Sequence, residues 1–303
     1  MQPTLEGYSA AVLSSVADDE RATAAADLER VNIAIQSRSD LRAAMTDTAI
    51  AGPVRAAVLR DLLTSQVSGV AVRLAAYAAR VAPAPDVPTT LDDLAHYALA
   101  RTRDERQAPP PLSLLEARKR VGGFADAILE DLPADDFGTI EDDLFRWART
   151  IEANPELRRL LVDRDATVES RSDVVRGLLE GKVNEPTLRL ALYAIEGGRA
   201  RDVVGTLDYL VDFTARARNW RVARVRSARE LDSDSRAALI SSLQTITGRT
   251  VDLQVTLDPT LLGGVLVEVG DLRLDASTKG RLGVLHETLA SGGVPELQLN
   301  HNS

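Results

Sequence analysis

The residue at position i recurs at position i+116 along an ungapped stretch from Gly7 to Arg103. Roughly three in ten of those positions carry the same residue, against about one in twelve expected by chance for so alanine-, leucine- and arginine-rich a chain. A duplication of this length means that the 303 residues hold one fold twice, with something else behind it. The clearest block pairs LLTSQVSGVAVRLAAYA (62–78) with LLEGKVNEPTLRLALYA (178–194), keeping Leu62/Leu178, Leu63/Leu179, Val67/Val183, Leu74/Leu190 and Tyr77/Tyr193. The ends agree as well: GYSAAVL (7–13) aligns with GFADAIL (123–129), and DVPTTLDDL (86–94) with DVVGTLDYL (202–210).

Within each copy the apolar period is helical. Leu28, Val31 and Ile35 recur as Leu144, Trp147 and Ile151, the spacing of one helix face. Asn154-Pro155-Glu156 supplies an N-cap, a proline where no N–H is needed, and an early acid. Aromatics make up only 4% of the chain, which favours aliphatic helical cores over sandwiches. We read six helices per copy. The copies meet at QAPPPLSL (107–114), where three consecutive prolines stop a helix and favour an extended connector. APAPDVPTT (82–90) predicts a proline-rich loop between the last two helices of copy one, and EGGRARDVVG (196–205) a less interrupted join in copy two.

From about Asn219 the pattern changes. VARVRSA (222–228) and VDLQVTL (251–257) suit strands, and SDSRAALISSLQTITG (233–248) a helix capped by Ser233 and ended by Gly248. GGVLVEVGDLRLD (263–275) reads as two further strands turning near Gly270-Asp271, with a last helix from about Ser277 to Leu289. The fold class expected is mainly α: two tandem six-helix bundles at 1–106 and 115–220, joined by the 107–114 linker and followed by a small α/β domain at 221–303.

Little in the chain points to chemistry. A net charge of −9 argues against a phosphate-backbone binder, so no nucleic-acid partner is assigned. Without cysteine there is neither a disulfide framework nor a thiolate site, and a reducing cytoplasm is the simplest compartment. His96, His286 and His301 lie in separate segments with no metal-ligand spacing. Gly177–Lys182 falls one residue short of a phosphate loop and reads as a helix end. Gly263-Gly264 is explained by close backbone packing, so neither cofactor nor metal is assigned, and no nucleophile–base pair can be named. MQPTLEGYSAAVL does not read as a signal peptide, and no apolar run is long enough to cross a bilayer, so direct membrane insertion is not expected. RARNWRVARVRSAR (216–229) is basic in an acidic chain: a contact strip for an acidic partner, or a solvated helix end and an arginine-guarded edge strand.

LDPTLLGGVLVEVGDLRLDASTKGRLGVL (257–285) resembles the signature of ATP synthase delta subunits, the family of mitochondrial oligomycin-sensitivity-conferring protein. Asp258, Pro259, Leu262, Gly263, Gly264, Gly270, Asp271, Asp275, Ser277, Lys279, Arg281 and Leu282 occupy the motif positions, with Ala276 and Lys279 departing from the usual glycine and arginine. NPELRRLLVD (154–163), the EGGR segment (196–199) and GFADAIL (123–129) are similar to the family's helical domain. A doubled helical domain resembles actinobacterial members.

The resemblance implies a non-catalytic stator. Its helical domain would bind amino-terminal helices of F1 alpha subunits at the head, its C-terminal domain a separate b-type stalk subunit, at the cytoplasmic face of the cell membrane. It also implies a groove between the first and fifth helices of copy two. Phe124 and Ile128 are four apart on one helix and Leu188 and Leu192 on the other, although the same stripe would serve a bundle's own core. Two rivals remain at this point: a helical adaptor outside energy conversion, which leaves the 257–285 motif unexplained, and an enzyme whose site escapes motif reading.

Overall fold

The computed structural model describes residues 1–102, 112–130, 132–133, 135–163, 165–247, 251–261, 263–269 and 272–275. It is mainly helical with one small four-stranded sheet. Copy one supplies α1 (Pro3–Ser14), α2 (Asp18–Ser37), α3 (Ser39–Thr46), α4 (Gly52–Leu63), α5 (Gly69–Val81) and α6 (Val87–Thr102). Copy two supplies α7 (Leu114–Leu129), α8 (Asp136–Ala153), α9 (Pro155–Val162), α10 (Val168–Leu179), α11 (Glu185–Glu196) and α12 (Val203–Arg221). The repeat extends to element ends: α3 and α9, like α4 and α10, begin and stop 116 positions apart.

Local chemistry sets these boundaries. Asn154 caps α9 by accepting from the amides of Glu156 (3.2 Å) and Leu157 (3.1 Å), with Pro155 at the first helical position as expected. Ser68 caps α5 and its counterpart Asn184 caps α11, each accepting from the amide three residues on. Ser113 and Glu116 form a reciprocal capping box at the start of α7. At the other end of α10, Gly181 takes a φ of 73°, so Gly177–Lys182 closes a helix.

The proline-rich join of copy one does not differ from its counterpart as expected. Each copy passes through one 3-10 turn, Ala84–Asp86 or Ala200–Asp202, and enters its last helix at Val87 or Val203. Pro88 falls in the first turn of α6, where the missing N–H removes no helix bond.

One buried apolar cluster runs through both copies. Leu28, Ile35, Leu74 and Leu91 and their counterparts Leu144, Ile151, Leu190 and Leu207 are all completely buried in it. The chain divides into two units: Met1–Arg218 with Thr245–Arg249 forms one, and the other begins at Asn219. The first unit therefore holds both helical copies.

The second unit contains β1 (Val222–Ser227), all but the last turn of α13 (Ser233–Thr247), β2 (Asp252–Leu257), β3 (Val265–Val269) and β4 (Leu272–Asp275), in sheet order β2-β1-β3-β4. β1 pairs parallel to β2 with Val222 opposite Asp252 and antiparallel to β3 with Ala223 opposite Val269. β3 pairs antiparallel to β4, with Val269 opposite Leu272. Ala223, Val225, Val267 and Val269 form its core with Leu243 of α13.

Two expectations need correction here. β1 is an interior strand, so Arg224 and Arg226 guard no edge; they alternate with buried Ala223, Val225 and Ser227 and project from the sheet's open face. The cap of α13 is Asp232, not Ser233: the Asp232 carboxylate accepts from the Ser235 amide at 2.7 Å. The expected helix end at Gly248, the turn at Gly270-Asp271, the helix from Ser277, and most of the 107–114 linker lie outside the described residues.

Candidate functional site

Most of helix α1 and the C-terminal half of α7 are poor in charge. GYSAAVL (7–13) contains no charge, and VGGFADAIL (121–129) contains only Asp126. A helix apolar on all sides must be covered on all sides. Every residue of α1 from Gly7 to Leu13 is buried, with α5 and α6 of its own copy on one side and α7 of the other copy against it.

Glycine makes that approach possible. A Cβ placed on Gly7 would meet the Arg120 carbonyl oxygen at 1.8 Å, and one on Gly123 would meet the Thr4 carbonyl oxygen at 1.8 Å. These are two halves of one contact, since Gly123 is the repeat counterpart of Gly7 and Arg120 that of Thr4. Arginines repeat the reciprocity. Arg73 of α5 donates to the Ala127 carbonyl of α7 at 3.2 Å, while Arg189 of α11 donates to the Ala11 carbonyl of α1 at 3.1 Å. Arg73 also reaches the Glu130 carboxylate (3.5 Å), and Arg189 the Ser14 hydroxyl at the matching position (3.2 Å). When i touches the counterpart of j and j touches the counterpart of i, the contact is isologous, as in a twofold dimer.

Each first helix stacks an aromatic ring on a tyrosine of the fifth helix of its own copy. Tyr8 stacks on Tyr77 with centroids 3.6 Å apart, and Phe124 on Tyr193 at 3.7 Å. The symmetry stops at the charges. Tyr8 donates to Glu130, Tyr77 donates to Asp126 at 3.1 Å, and Arg80 pairs with Asp126 at 2.7 Å. Burial, reinforced by the Glu130 carboxylate, holds the Tyr8 hydroxyl far above its ordinary value, and burial with Asp126 does the same for Tyr77. Both remain donors at physiological pH. Arg120 is buried and donates to the Gly197 carbonyl (2.8 Å), with Glu6 of α1 at 3.4 Å.

The four groove residues fall within this region. Phe124, Ile128 and Leu188 are 6%, 8% and 8% exposed, and Leu192 is half-buried. Phe124 and Ile128 lie on the helix that α1 covers, and Leu188 adjoins Arg189, which reaches α1. Periodicity identified the stripe but not the crossing arginines, the paired glycines or Asp126. The signal for the glycines and arginines was their persistence in the repeat as Gly7/Gly123 and Arg73/Arg189, together with the uncharged run in α1, whereas Asp126 stands opposite Ala10 in the repeat and left no such signal.

The C-terminal motif builds a turn against β1. The Asp258 amide donates to the Ser227 carbonyl at 2.9 Å, and its carboxylate accepts from the Thr260 amide at 3.0 Å. The Thr260 hydroxyl and amide hold that carboxyl below its ordinary value, helped by Arg226 at 3.5 Å. Pro259 is exposed in the same turn; Gly264, at φ 78°, leads into β3 beside Gly263. Asp275 ends β4 opposite Leu266. Leu262, Gly270, Asp271, Ser277, Lys279, Arg281 and Leu282 lie outside the described residues.

Among the described residues no helix is long and apolar enough to cross a membrane. A family model described as ATP synthase delta (OSCP) subunit matches residues 124–289, which takes in most of copy two and most of the α/β unit. The ATP synthase subunit delta of Corynebacterium urealyticum is 34% identical over 263 residues, covering 86% of this chain and 85% of that protein. Those of Streptomyces coelicolor and Salinispora tropica are each 32% identical, covering 88% and 89% of this chain and 87% and 89% of their own. An alignment of 263 residues exceeds the 191 that lie beyond residue 112, so the likeness includes copy one. With more than half of the chain matched by the family model and relatives above 30% identity across most of both sequences, the chain belongs to the ATP synthase delta (OSCP) subunit family.

Proposed function

We propose that this chain is a non-catalytic peripheral-stalk subunit of an F1Fo ATP synthase, tying the F1 head to a b-type stalk so that proton flow drives ATP synthesis. Family membership supports the role and leaves an unrelated helical adaptor without an explanation for the matches. The observation that carries the division of labour is the presence of two units with separate cores, a large helical one and a small α/β one. Two binding bodies on one chain suit a stator, because tethering raises effective concentration and several contacts resist torque together.

In this reading the chain comprises two six-helix bundles, 1–106 and 115–220, with a stalk-binding domain at 221–303. The helical bundles meet amino-terminal helices of alpha subunits, and the motif from Asp258 onward serves the b-type subunit. The whole sits peripherally at the cytoplasmic face of the cell membrane. The groove of Phe124, Ile128, Leu188 and Leu192 is the alpha-helix seat, entered when α1 leaves α7. The basic 216–229 segment offers Arg224 and Arg226 on the open face of the sheet to an acidic partner.

Truncation tests the division directly. A chain lacking residues 257–303 should keep its helical content and its binding to F1 yet fail to co-purify with the b-type subunit, since units with separate cores fold separately. Full retention of b-subunit binding by the truncated chain contradicts the assignment.

A further inference from the structure

We propose that the contact between α1 and α7 is a reciprocal latch: each copy's first helix occupies the helix-accepting groove of the other copy, and one opening event exposes both grooves to an amphipathic helix from outside. α1 lies along α7 and is held from α11 by Arg189; α7 lies along α1 and is held from α5 by Arg73. Because the glycine contacts are two halves of the same approach, α1 cannot leave Gly123 without α7 leaving Gly7. Opening is therefore concerted, and a helix that enters one groove removes the cost of entering the second, which is positive cooperativity.

α1 itself defines the kind of helix that fits. Its docking face carries Gly7 and Ala11, small residues that let backbones come close, and its carbonyls near the C-terminus receive a crossing arginine. An entering helix needs the same small face and an accessible C-terminal turn. The latch stands on contacts within this chain, whereas the source of an entering helix rests on the stator reading, so the two fail separately.

Thiol labelling measures the opening, because the chain contains no cysteine of its own. Ala11 and Ala127, counterparts whose carbonyls take the two arginines, are both buried and accept Ala11→Cys or Ala127→Cys with little added volume. In the full-length chain the two single-cysteine proteins should label at matching rates. Arg189→Ala, which touches only the α1 half, should accelerate both by the same factor, about tenfold for the loss of one charge-assisted crossing. Acceleration of the Ala11→Cys protein alone overturns concerted opening. A synthetic peptide of residues 1–16 provides the second arm: in excess it should speed labelling at position 11 by displacing α1 and slow it at position 127 by taking the seat. Unchanged rates at both positions under saturating peptide overturn the groove itself. If both arms succeed and alpha-subunit helices have no effect on labelling, the latch stands and the alpha-helix seat falls.

Discussion

Copy one and copy two carry the same helices in the same register, yet they carry different charges where they meet. Residues that set shape persist: Gly7 and Gly123, Arg73 and Arg189, Tyr77 and Tyr193. Polar residues at equivalent places diverge. Ala10 has Asp126 as its counterpart, Ser14 has Glu130, Arg80 has Glu196, and Tyr8 has Phe124. The consequence is a preference for unlike pairing. Copy two against another copy two would set Asp126 toward Glu196 instead of Arg80, two like charges in partly buried surroundings, while copy one against copy one would leave Arg80 facing alanine. A twofold geometry has become an interface between two non-identical halves, as expected once both halves are tethered in one chain.

The largest effect should come from removing the charge that only copy two supplies. Asp126→Ala leaves Arg80 and the Tyr77 hydroxyl without their shared carboxylate, at a cost of about 3 kcal/mol in a denaturant melt. The mirror change Ala10→Asp puts a carboxylate at the buried counterpart of Asp126, where no arginine stands at the position equivalent to Arg80, and should also destabilise. A gain in stability from it would break the charge-based account.

Next come the glycines, where the copies should behave alike. Gly7→Ala and Gly123→Ala each force a Cβ to 1.8 Å from a backbone carbonyl oxygen, and overpacking of this kind costs about 1–3 kcal/mol. Costs differing by more than about 1 kcal/mol would show that the approach is not reciprocal.

Much of this architecture was legible before the fold. The helical period of the repeat marked the chain as mainly helical, the alternation beyond it marked a small sheet, and Asn154-Pro155 marked a helix start. What escaped did so for identifiable reasons. Alternation in 222–228 shows a half-buried strand but not its neighbours, so it leaves an interior strand and an edge strand indistinguishable. Asp232 and Ser233 are both good caps, and only geometry selects between them. The stripe of Phe124, Ile128 and Leu188 could face its own core, a partner, or another copy, and helical periodicity is the same in all three cases.

A smaller difference concerns acid. The Asp27 carboxylate accepts from the Ser68 amide at 2.7 Å and pairs with Arg30, tying α2 to the start of α5. Burial alone would raise this carboxyl, but the Ser68 amide and then Arg30 outweigh it and hold it below its ordinary 3.8. A depressed folded value means that the stabilisation is present above the unfolded value and is lost as pH falls through the folded one. Asp27→Asn should cost about 1 kcal/mol at neutral pH and flatten the fall in melting temperature below about pH 4. An unchanged acid limb would remove Asp27 from the account.

The two copies are held together by their own surfaces, beyond the chain that joins them. A protease site introduced between Gln107 and Pro111 allows the join to be cut after folding, in the full-length protein. If α1 and α7 form the reciprocal contact described, the two fragments will co-elute as a one-to-one complex after complete cleavage, and Asp126→Ala will weaken that complex. Fragments that separate on cutting, each with its helical signal intact, would contradict it.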